Sequence, residues 1–161
     1  MRLGPLARRV GSRLRERGLV LATAESCTGG WIAQAVTSIA GSSEWFERGF
    51  VTYSNESKKE LLGVRAATLA RHGAVSEATA REMADGALRR SRAQIAVAVT
   101  GIAGPGGGTR SKPVGLVCFA WSQKGRAPES AARRFRGGRR GIRERSVAFA
   151  LQGLIERLEE E

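Results

Sequence analysis

Gln94 to Thr100 (QIAVAVT) constrains the fold more than any other stretch of this chain. Between its ends it is only isoleucine, alanine and valine, so neither face of a strand built from it offers anything to water. Strands of that kind lie inside largely parallel sheets, covered by helices on both sides. The run leads directly into Gly101-Ile102-Ala103-Gly104-Pro105-Gly106-Gly107-Gly108. In open α/β sheets, loops beyond the carboxyl ends of strands are where ligands bind.

Other segments fit around that strand. Leu3, Leu6, Val10 and Leu14 recur at helical spacing with arginines between them, and the pattern stops near Arg17-Gly18. Leu19 to Ala24 is a short apolar run, followed by a polar turn, Glu25 to Gly30, and a helical stretch from Trp31 to Ile39. A short strand is predicted at Gly49 to Tyr53, a helix from Lys58 to Leu62, and a helix from Ser76, placed as its N-cap, to Arg90. Apolar strands follow at Val114 to Trp121 and, at an edge, Ala131 to Phe135. The last helix, about Arg139 to Leu158, carries a broad apolar stripe. Strands alternating with helices predict one α/β domain spanning residues 1–161, a three-layer α/β/α sandwich with a mostly parallel or mixed sheet.

The 161 residues are enough to bury a core without disulfide or metal staples. Cys27 and Cys118 are too few for a disulfide framework or a cysteine-rich zinc site. The lone His72 argues against a multi-histidine centre; carboxylates alone could still hold Mg²⁺, but no metal motif stands out and no metal is expected. The amino-terminal stretch is interrupted by arginines and never reaches the apolar length of a leader or membrane span, which predicts a cytoplasmic protein without membrane contact. Lys and Arg number 27 against 15 acids, a formal charge of +12. Nine cations and only two acids fall between Lys124 and Arg145. Such a surplus suits phosphates and other anions.

Two loops have the composition of a ligand site: Thr23 to Gly30 (TAESCTGG) and Gly101 to Gly108. The second is not a Walker A loop, because Gly107 stands where the lysine would be. Ser26 requires a base to become a nucleophile. His72, Lys58 and Lys59 are the candidates, a lysine serving if burial lowers its pKa, with Tyr53 as proton relay or donor. Cys27 is a second nucleophile candidate, near a helix N-terminus expected to lower its pKa. Each has a plainer alternative: His72 as a cap or surface residue, Tyr53 as a rim aromatic, the lysines as solvated charges, Cys27 as a small buried residue. Trp31, Trp45 and Trp121 fit either ring stacking or packing.

Taken together, Thr23 to Gly30, Gly41-Ser42-Ser43, Trp45 to Asn55 (WFERGFVTYSN), Lys58, Gly73 to Ser76, Thr100 to Gly108 and Lys112 to Gly115 closely resemble the CinA C-terminal domain family, in matching order from about residue 5 to 158. The amino-terminal domain of full-length CinA proteins is not part of the match. The resemblance implies an enzyme that hydrolyses the carboxamide of nicotinamide mononucleotide to nicotinate mononucleotide and ammonia, without a cofactor and commonly as a homo-oligomer. It implies Ser26 as nucleophile assisted by Tyr53 and Lys58. Thr28, Gly29 and Gly30 match one active-site loop; Thr100, Gly101, Ala103 and Gly104 match the other.

One motif departs from the family. Members commonly read Phe-x-Gly-Asp-Arg before the last helix, where this chain has Phe135-Arg136-Gly137-Gly138-Arg139. Without that acid the placement of Arg139 is open, while Arg140 and Arg143 remain expected contacts for a substrate phosphate. Two other readings stand beside the enzyme: a regulatory protein that binds the nucleotide without turnover, and a basic nucleic-acid-binding protein. No recognised nucleic-acid-binding motif supports the latter.

Overall fold

The computed structural model describes residues 3–160. Helix α1 spans Leu3–Arg17, strand β1 Leu21–Glu25, α2 Trp31–Thr37, β2 Phe46–Val51, α3 Asn55–Leu62, α4 Ala66–His72, α5 Glu77–Arg89, β3 Ile95–Gly101, β4 Leu116–Gln123, β5 Glu129–Arg134 and α6 Arg139–Glu159. The five strands form one sheet in the order β2-β1-β3-β4-β5. β2, β1 and β3 are parallel, and β4 and β5 add on antiparallel. The sheet is therefore mixed.

Alternation along the buried strands separates two cores of different grain. Leu21, Ile95, Val97, Val99, Val117, Phe119 and Trp121 face the layer made by α1, α2 and α6. Ala22, Ala24, Ala96, Ala98, Cys118 and Ala120 face the opposite layer, where α5 packs Ala80, Met83, Ala84 and Ala87 against them. Small residues on both sides let α5 approach the sheet closely, whereas the other face interleaves large side chains. Trp45 and Trp121 are core residues, 1% and 3% exposed, which settles them as packing aromatics. Among the described residues no helix is long and apolar enough to cross a membrane.

The predicted elements shift at their ends. β2 begins earlier than Gly49 and ends at Val51, because the chain turns at Thr52 to deliver Tyr53 into the next loop. α3 begins at Asn55, not Lys58, since Ser54 caps it: the Ser54 hydroxyl accepts from the Ser57 N–H, and the Ser57 hydroxyl accepts from the Ser54 N–H. α4 had no counterpart among the predicted helices. His72 is its last residue, and its carbonyl accepts from Lys112 Nζ.

Candidate active site

β1 and β3 are adjacent and parallel, so their carboxyl ends bring the two expected loops side by side. The Ser26 N–H donates to the Val99 carbonyl at 3.0 Å, tying the first loop to the end of β3. β2 ends on the other side of β1, where the Thr52 N–H donates to the Glu25 carbonyl at 2.8 Å. The capped start of α3 then turns Lys58 inward.

Lys58 is 1% exposed, and its Nζ donates to Ser26 Oγ at 3.0 Å and to the Thr52 carbonyl at 2.8 Å. Burial holds its pKa below the ordinary lysine range, because the ammonium loses hydration and neither partner is a carboxylate. Its neighbour Lys59 pairs with Glu56 at 2.7 Å and takes no part. Tyr53 lies at the mouth, 62% exposed. Arg139 reaches it from the start of α6, Nη2 donating to the phenolic oxygen at 3.1 Å and Nη1 to the Gly104 carbonyl at 2.7 Å. Arg139 is thus held by two loops of the site although Gly138 provides no side-chain cap for α6.

Cys27 contradicts the expectation of an activated thiol. Burial pushes its pKa up to about 12, since loss of thiolate hydration outweighs the neighbouring Lys58 and Arg143 charges. It behaves as a small buried residue.

Glu25 was absent from the candidate residues, yet it organises the first loop. It is 1% exposed and accepts from the Thr28 hydroxyl at 2.6 Å and from the Ile32 and Ala33 N–H groups at 2.8 and 3.0 Å. Burial raises its pKa against the pull of these donors. The Ile32 and Ala33 amides in the first turn of α2 are therefore already occupied by an internal carboxylate and are not free to hold a ligand anion. The only sequence signal was an acid directly before a polar turn into a helix.

The remaining expected residues divide. Thr28 is buried with its hydroxyl on Glu25, while its backbone joins Gly29, Gly30, Trp31, Gln34, Arg140 and Arg143 in lining an open groove. Arg140 and Arg143 both lie over the Trp31 ring, 5.5 and 5.6 Å from its centroid. Arg143 also donates to the Cys27 and Thr28 carbonyls, at 3.1 Å each. Thr100 is buried, and its hydroxyl donates to the Ala74 carbonyl at 2.9 Å. Gly101 belongs to β3, where a Cβ would strike Val117 and the Leu116 carbonyl of β4. Thr100 and Gly101 hold the second loop in place, and Ala103, 5% exposed, packs into the core beneath it.

The model of the CinA C-terminal domain family matches residues 4–158. The chain is 55% identical over 151 residues to the nicotinamide-nucleotide amidohydrolase PncC of Escherichia coli strain K12, covering 92% of this chain and 90% of that one. It superposes on the crystal structure of the competence/damage inducible protein CihA from Agrobacterium tumefaciens with a TM-score of 0.95 at 52% identity, over 98% of this chain and 96% of the other. A CinA superfamily protein from Klebsiella pneumoniae gives a TM-score of 0.94 at 43% identity, with 98% of both chains covered.

Proposed function

Since this chain belongs to the CinA C-terminal domain family, we propose that it is an amidohydrolase that converts nicotinamide mononucleotide and water to nicotinate mononucleotide and ammonia. The names of its relatives support the substrate. The chemistry rests on one observation, the buried Lys58 Nζ at 3.0 Å from Ser26 Oγ.

In its neutral form Lys58 keeps N–H groups for the Thr52 carbonyl and has a lone pair free for the Ser26 hydroxyl proton. Ser26 Oγ then attacks the carboxamide carbon, and the C=O electron pair moves to oxygen. A backbone N–H aimed at that oxygen would contribute about 3 kcal/mol of transition-state stabilisation. Collapse of this intermediate breaks the C–N bond, and the leaving nitrogen takes a proton from Lys58 or from Tyr53. Arg139 donates to the Tyr53 oxygen and so leaves the phenolic hydrogen available. Water hydrolyses the acyl-serine through the same groups acting in reverse. Arg140 lines the groove beside the site and supplies positive charge for the nucleotide phosphate.

Incubating the protein and Ser26→Ala with nicotinamide mononucleotide in chelating buffer tests the reading. Ammonia and nicotinate mononucleotide in equal amounts from the unaltered protein alone are expected. Bound nucleotide without product would instead favour a regulatory protein that keeps the pocket without the chemistry.

A further inference from the structure

Arg143 was expected to meet the substrate phosphate, but its position points to another task. Its Nε and Nη2 donate to two successive carbonyls, Cys27 and Thr28, at 3.1 Å each. A Cβ on Gly29 would come within 3.3 Å of Nη2, so the guanidinium is pressed against the turn that follows Ser26. Its Cζ lies 5.6 Å from the centroid of the Trp31 ring. The opposite side of the same turn is held by Glu25, through the Thr28 hydroxyl and the Ile32 and Ala33 amides. Between them, the Gly29 N–H closes the turn onto the Ser26 carbonyl at 3.0 Å.

We propose that Arg143 and Glu25 are positioning residues that clamp the Ser26–Gly30 turn from its carbonyl and amide sides, fixing Ser26 Oγ at Lys58, and that Arg143 is not a phosphate ligand. A planar guanidinium with a fixed fork of donors suits two neighbouring carbonyls as an ammonium does not. Peptide planarity carries the restraint along the backbone, because holding the Cys27 carbonyl also fixes the direction of the Thr28 N–H. Ser26 is the residue of this turn whose side chain is hydrogen-bonded to Lys58. A displacement of about 1 Å at such a position is enough to cost about 100-fold in rate.

The inference rests on the reading of Ser26 as nucleophile, and two measurements separate it from the choice of substrate. The first compares turnover of nicotinamide mononucleotide and of the phosphate-free nicotinamide riboside by the protein, Arg143→Gln, Arg143→Lys, Arg143→Ala and Glu25→Gln. The clamp predicts that Arg143→Gln lowers kcat about 100-fold on both substrates with KM within about threefold, that Arg143→Lys recovers little, and that free guanidinium partly restores Arg143→Ala, which an unfolded variant does not allow. A KM raised for the nucleotide alone, with kcat kept, overturns it and returns Arg143 to the phosphate. The second follows labelling of Ser26 by a fluorophosphonate, which needs neither amide nor nucleotide. Slower labelling in Arg143→Gln and Glu25→Gln sustains the clamp even if nicotinamide mononucleotide is not turned over, in which case only the substrate assignment fails. Equal labelling of the protein and both variants, or no labelling at Ser26, overturns the clamp.

Discussion

Lys58 reaches Ser26 from inside the protein: its amine is 3.0 Å from the hydroxyl, and burial alone moves its pKa downward. On the proposed mechanism Lys58 acts as the base and works only when unprotonated, so turnover is expected to rise with pH through its lowered pKa and then level off. Lys58→Met and Lys58→Arg are expected to lose turnover at every accessible pH, the second because a guanidinium stays protonated. A pH profile of kcat/KM for the three proteins checks this.

The same burial sets a sign for stability. The lysine is more basic in the unfolded chain, so between its folded pKa and the ordinary lysine value the unfolded state binds more protons, and stability increases with pH across that window. Below the folded pKa the full cost of the buried ammonium is present. Lys58→Met removes it, and is expected to raise the Tm near neutral pH while flattening the alkaline rise. Thermal unfolding at several pH values distinguishes this gain from the loss of activity in the same variant.

Tyr53 and Arg139 meet across the mouth of the site at 3.1 Å. If they act as one unit, Tyr53→Phe and Arg139→Gln each lower kcat by about 10-fold or more, and the double variant is little slower than the slower single one. Independent roles would instead multiply the two losses. The comparison also tests the missing acid at Gly138, since Arg139 is held here by Gly104 and Tyr53 without it.

How legible these features were depends on whether their cause is local. The strand at Ile95–Gly101 was plain because burial on both faces leaves a continuous apolar run. β2 was displaced because an edge strand with exposed Arg48 and Gly49 has no such run. α4 was missed because it is only 7 residues long and Arg65 provides no side-chain cap. Spacing left Lys58 and Lys59 equivalent; resemblance chose Lys58, and the structure shows the difference to be one of burial, a tertiary property. The carbonyl of Thr52 and the reach of Glu25 to residues seven and eight positions on depend on the folded backbone and have no signature in composition.

Cys27 offers a test of the buried-thiol reading. With its pKa pushed up to about 12, almost none of it is thiolate at pH 8, so iodoacetamide is expected to leave it unmodified in the native protein and to alkylate it after denaturation. Cys27→Ala should retain turnover within about 10-fold of the parent, far above Ser26→Ala. Mass spectrometry of the alkylated peptide, with the ammonia assay, decides both points; rapid native alkylation would restore the thiol as a nucleophile candidate.

Gly86 links the packing of α5 to Lys58 on α3. An alanine in a helix interior normally gains about 1 kcal/mol over glycine, but here a Cβ would run into the carbonyl of Leu62, the last residue of α3. The obstacle is backbone, so the two helices have to separate, at a cost of about 1–3 kcal/mol for an overpacked contact. Gly86→Ala is therefore expected to lower the Tm, while Gly4→Ala in α1, where a Cβ meets only Arg8 side-chain atoms at 3.8 Å, is expected to leave it unchanged or raise it. Because α3 carries Lys58, Gly86→Ala should also lower kcat below the unfolding transition. An unchanged Tm and full activity would mean that α3 and α5 can part without moving the amine from Ser26.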